Sequence, residues 1–163
     1  MSAGSINRHC KRFLASLGLD EITRQDLANT LKLADKPILQ LMYELAIDAG
    51  LSHELAVDRV LPILFQNCAI HLADDIADGD CHYMSLPQAA TSLYTLQQLV
   101  SLSLKRCGIN GNVTQQVLVD LIQVGAAQHR EIATEQWDLK KALCAAEGLN
   151  GNQFSAYFSI ATA

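Results

Sequence analysis

The chain has 163 residues, half of them apolar and 18% charged, which is enough to bury a core and too apolar for a disordered segment. Seventeen acidic against twelve basic residues leave a net charge of −5, so no sequence-wide positive field draws the chain to nucleic acid or anionic lipid. The five cysteines are odd in number and scattered, which suits a reducing cytoplasm better than a disulfide scaffold; residues 1–10 lack the apolar centre of a signal peptide, and no apolar run reaches the ~18 residues of a membrane span.

Helical periodicity with little β-branched alternation predicts a single all-α domain over 1–163. Residues 1–7 are small and polar and are expected to be disordered. A short basic amphipathic segment follows from Arg8 to Leu17, stopped by Gly18. Asp20 or Thr23 caps the next helix, which runs to about Ala34 with Leu27, Leu31 and Leu33 inward. Lys36-Pro37 ends that segment and Pro37 opens an apolar helix closed by Gly50. Ser52 caps a long helix from His53 to about Asp78, in which Pro62 demands a kink or a restart. Further helices are predicted at about Leu86–Cys107, Val113–Glu135, Gln136–Glu147 and from Gln153 on, with glycine-containing turns between them.

The segment from Pro62 to Gly79 carries the chemistry. Residues four apart on a helix lie only about 40° apart around its axis. Gln66, Asp74 and Asp78 therefore share one line with Ile70, and Asn67, His71 and Asp75 share the next. A narrow polar stripe on an otherwise apolar helix points to a wet, acidic cavity. Asp74, Asp75 and Asp78 repel one another at helical neighbour spacing, and they sit at a helix C-terminus where the macrodipole disfavours negative charge. No lysine or arginine occurs between Arg59 and Lys105 to relieve them. Oxygen donors of this kind suit a hard divalent cation, and magnesium takes one or two carboxylates, several waters and a substrate phosphate. A solvated helix end is the plainer alternative. Cys68, His71, Cys81 and His82 match no common zinc spacing, and Cys68 reads as a small core residue. An intrahelical pair with Asp75 is the plain reading of His71; Lys105-Arg106 suits the macrodipole, and Trp137 reads as a packing anchor.

His71 to Asp80, His-Leu-Ala-Asp-Asp-Ile-Ala-Asp-Gly-Asp, resembles the first aspartate-rich motif of the class I isoprenoid synthases, in their trans-polyprenyl synthetase branch. Lys36-Pro37 resembles the end of that family's basic, proline-closed segment. Ala127 to Ile132 is similar to its glutamine-led acidic segment on the facing helix, and Tyr157 to Ala163 to its tyrosine-led stretch before a lysine-threonine pair. The resemblance implies an isoprenoid synthase-like helical bundle and an enzyme of isoprenoid biosynthesis, a prenyltransferase that ionises an allylic prenyl diphosphate. It implies Mg2+ held by Asp74 and Asp78 with Asp75 orienting or charging the site, and substrate contacts from Lys36, His71, Gln128 and Glu131. Ala69 and Ile70 occupy the places of the family's cavity floor. Lys36 stands alone where the family has several basic residues, and Cys81 to Ala90 holds no lysine or arginine. A terpene cyclase-type enzyme or a non-catalytic prenyl-diphosphate-binding partner subunit is therefore the alternative. The family continues beyond the equivalent of Ala163 into a second aspartate-rich motif. The expectation is thus an N-terminal part of the bundle, working as a homodimer or paired with a chain that supplies the other half.

Overall fold

The computed structural model describes residues 3–134 and 136–163, with side chains from residue 6 onward. Every regular element among them is helical, as the periodicity predicts. The order is α1 (Ala3–Ala15), α2 (Glu21–Thr30), a 3-10 turn (Leu31–Leu33), α3 (Lys36–Asp48), α4 (His53–Asp78) and α5 (Leu86–Arg106). Then follow α6 (Gly111–Ile132), α7 (Leu139–Ala146), a π-helical turn (Glu147–Gly151) and α8 (Asn152–Thr162). Where the sequence reading treats 1–163 as one domain, the backbone groups into two compact units, Met1–Gly108 and Ile109–Ala163, and each is described by itself.

The first unit is built around α4, whose thirteen buried residues run from Ala56 to Leu72. Burying each large apolar side chain contributes roughly 1.5–3 kcal/mol. That sum exceeds the ~3 kcal/mol that an interior proline costs, so Pro62 is accommodated within one helical element, and of the expected kink or restart the restart does not occur. Over its most apolar 18-residue window α4 has a mean hydropathy of 1.2, so by length and composition it is apolar enough to cross a membrane, which a search for uninterrupted apolar runs overlooks. Packing explains that apolarity, since 72% of the window is buried inside the structure.

The other helices of this unit are fixed to α4 at identifiable points. His9 Nε2 lies 2.7 Å from Asp58 Oδ1, and Phe13 packs on Phe65 with ring centroids 5.8 Å apart. The end of α5 returns to the start of α4, where the Cys107 thiol donates to the Asp58 carbonyl at 3.0 Å. Arg106 lies over the Phe13 ring, 5.3 Å from its centroid, so this cation does more than complement a helix end. Residues 3–7, expected to be disordered, extend α1 by about one and a half turns, because Ile6 is buried in the core; residues 1 and 2 lie outside the described residues. Asp20, Asp35 and Ser52 each accept the backbone N–H three residues on, which sets the starts of α2, α3 and α4.

In the second unit α6 and α8 pack together with the π-helical turn. Asp120 is buried on α6 and accepts from Gln116 Nε2 (2.8 Å) and from the Ser155 hydroxyl of α8 (2.9 Å). Tyr157 and Ile160 are fully buried, and the Tyr157 hydroxyl accepts from Gln153 Nε2 at 2.9 Å. Phe154 and Phe158 stay about half exposed on the other face of α8. Trp137, expected as a packing anchor, is 47% exposed. The helix expected from Gln136 begins three residues later, where Asp138 accepts from Lys141 N–H at 2.8 Å. Glu135, the expected end of the preceding helix, lies outside the described residues.

Candidate functional site

The polar stripe of α4 divides in two. Its upper part is structural: Asn67 is buried, and its side-chain oxygen accepts the Asp35 N–H at 2.7 Å. That bond ties the start of α3 to the middle of α4, and an unmet buried amide there would cost about 1–3 kcal/mol. Gln66 and Ile70 are half-buried beside it. Burial on α4 stops at Leu72, so the last turn and a half projects beyond the packed core.

His71, Asp74 and Asp78 are exposed there, and Asp75 is half-buried. Gly79 ends the helix in the left-handed region at φ 77°, and its N–H and that of Asp80 both donate to the Asp75 carbonyl region of the last turn. Asp75 Oδ2 accepts the Tyr83 hydroxyl at 2.7 Å, rather than pairing with His71 one turn earlier. Desolvation, then the hydrogen bond to Asp75, hold the Tyr83 phenol well above its ordinary range, so it remains a donor at working pH. Asp80 lies 3.8 Å from His82 Nε2, a loose pair in open solvent. Among the described residues neither Asp74 nor Asp78 has an ion-pair or hydrogen-bond partner.

The two cavities described do not meet the expectation that these acids line a cavity inside the bundle. Neither of the two cavities described is lined by His71, Asp74, Asp75 or Asp78. The physical reason is the placement of the motif past the last buried residue of α4. Ala69, expected at a cavity floor, is buried in the core, and Ile70 is half-buried; neither lines those cavities.

Lys36 is exposed at the first turn of α3 and borders a cavity of about 550 Å³ in the first unit. Its floor is apolar, formed by Ile6, Cys10, Leu14, Leu39 and Leu64, and its rim carries Lys11, Arg24, Lys32 and Lys36. The sequence reading missed this cavity. The signal was available: Arg8, Lys11, Arg12, Arg24, Lys32 and Lys36, six of the twelve basic residues, fall within the first 36 positions. In the second unit, Gln128 is half-buried on α6, and Glu131 lines a small cavity of about 120 Å³ with Arg130, Trp137 and Lys141.

Asp74 and Asp78 supply two hard oxygen donors one helical turn apart, and no group of three or more His, Cys, Asp or Glu able to hold a metal occurs among the described residues. Two carboxylates fit the small protein share that magnesium takes when waters and phosphate complete its octahedron, and do not fit a calcium or zinc cage. No family model matches the chain, and no curated protein or solved structure does either.

Proposed function

We propose that this chain is a prenyl-diphosphate-binding helical protein of the class I isoprenoid synthase kind, which holds an allylic diphosphate through magnesium at the tip of α4. The observation that carries the reading is the pair Asp74 and Asp78, exposed, one turn apart and without a cation partner among the described residues. Magnesium bound there would neutralise the diphosphate. Asp74 and Asp78 would supply carboxylate oxygens to the ion. Asp75, fixed by the Tyr83 hydroxyl, holds the last turn in place and adds negative charge beside the pair. His71, exposed one turn before Asp75, is in place to donate to a phosphate oxygen when protonated.

Binding is favoured over ionisation by one feature. An allylic cation needs a dry apolar hollow beside the leaving group, and neither cavity described is lined by the motif. The enzymatic reading, prenyl transfer or cyclisation, is therefore the second one. Incubating the full chain with MgCl2 and geranyl diphosphate separates them. Phosphorus NMR is expected to show magnesium-dependent broadening of the geranyl diphosphate lines, lost in Asp74→Ala, with no inorganic diphosphate released above the blank. Release abolished by Asp74→Ala would establish the enzymatic reading instead. Neither broadening nor release would leave the aspartates as a solvated helix end and remove the proposal.

A further inference from the structure

The cavity beneath Lys36 has a different chemistry from the acidic tip, and it does not depend on the reading of Asp74 and Asp78. Its floor residues Ile6, Cys10, Leu14, Leu39 and Leu64 are all at most 7% exposed, so the hollow reaches the core of the first unit. Its volume, about 550 Å³, lies within the range of pockets that enclose a small organic ligand. The Cys10 thiol, pushed up to about 12 by burial, adds no charge to that floor. At the mouth stand Lys11, Arg24, Lys32 and Lys36, all exposed, and no aspartate or glutamate lines the cavity. Apolar depth below and positive charge above is the complement of a single-chain amphiphile with an anionic head.

The rim also discriminates among heads. Arg24 is engaged by Glu21 at 2.8 Å and Lys32 by Asn29 at 2.9 Å, whereas Lys11 and Lys36 have no ion-pair partner among the described residues. Phosphate groups favour the free N–H groups of a helix start. The start of α3 offers few: Pro37 has no N–H, and Ile38 N–H donates to the Asp35 carboxylate at 3.3 Å. Two ammonium groups supply charge enough for one anionic head, and the scarcity of free backbone N–H groups beside them removes a feature that favours phosphate, which leaves a carboxylate as the head. We infer that this cavity binds a long-chain fatty acid, with the alkyl chain against Cys10, Leu14, Leu39 and Leu64 and the carboxylate between Lys11 and Lys36.

The test displaces 11-(dansylamino)undecanoic acid from the full chain with palmitate, in EDTA and below micelle-forming concentrations. Palmitate is expected to displace the probe with one-to-one stoichiometry, and hexadecanol at least tenfold less well. The Lys11→Glu, Lys36→Glu double variant changes only exposed side chains and is expected to weaken palmitate at least tenfold while its circular dichroism stays unchanged. Ala28→Trp, which fills the cavity from an exposed lining position, is expected to abolish probe binding. Equal displacement by hexadecanol and palmitate would overturn the inference, as would a tenfold preference for hexadecyl phosphate or geranyl diphosphate, or undiminished probe binding in Ala28→Trp. Because EDTA removes magnesium, failure here is independent of failure at the aspartates.

Discussion

Cys10, Cys68 and Cys107 are buried in the first unit, and burial pushes each thiol up to about 12. Such groups are protonated packing residues rather than nucleophiles or metal ligands. Their raised pKa values work against the folded state only in alkali. The unfolded thiols lose protons near their ordinary value, the folded ones near 12, so their contribution is intact below about pH 8.5 and is lost as pH rises toward 12. Iodoacetamide at pH 8 is expected to label Cys81 and Cys144 quickly and the other three only after urea unfolding; rapid labelling of all five would contradict the packing described. The same residues show what sequence can give. Cys68 reads as a core residue because its neighbours are apolar, and it is one. Asn67 reads as part of a polar stripe facing a cavity, and it instead satisfies the Asp35 amide from a helix 32 residues away in the chain. A bond of that kind depends on tertiary placement and leaves no periodic trace.

At the scale of elements, the helices were legible because their signals agree. Asp20, Pro37 and Ser52 mark starts, Gly18, Gly50, Gly79 and Gly108 take positive φ after α1, α3, α4 and α5, and apolar positions recur at helical spacing. The start of α1 was not legible, because one buried side chain, Ile6, organises a stretch that is otherwise small and polar. Gly148 illustrates a different limit. It reads as a turn glycine, yet it sits in the π-helical turn at negative φ, and its role is close approach: a Cβ there would meet Ala127 Cβ of α6 at 2.7 Å. Gly148→Ala is therefore expected to destabilise the second unit by about 1–3 kcal/mol, read as a lower urea midpoint with an unchanged slope. A midpoint equal to that of the parent chain would show that α6 and the turn yield freely.

For the molecule as a whole, the chemistry-bearing residues divide by sign. The first unit carries an apolar, lysine-rimmed cavity against α1, α2 and α3, and an acidic tip on α4 beyond the last buried turn. The acidic tip was legible as a spacing, since four-residue periodicity places Asp74 and Asp78 on one line whatever surrounds the helix. Its exposure was not, because hydrophobic pattern records which residues are buried only through the packing partners, and here the partners end at Leu72. The basic cavity was present in the distribution of lysines and arginines but is assembled from four separate helices and a turn. In the function proposed, Asp74 and Asp78 recruit a diphosphate through a divalent cation. Isothermal titration of geranyl diphosphate into the full chain, with 5–10 equivalents of MgCl2 or with EDTA, tests it most directly. One saturable site is expected in magnesium, at least tenfold weaker in EDTA and in the Asp74→Ala, Asp78→Ala double variant. Equal affinity with and without the metal, or an unchanged isotherm in the double variant, would contradict it.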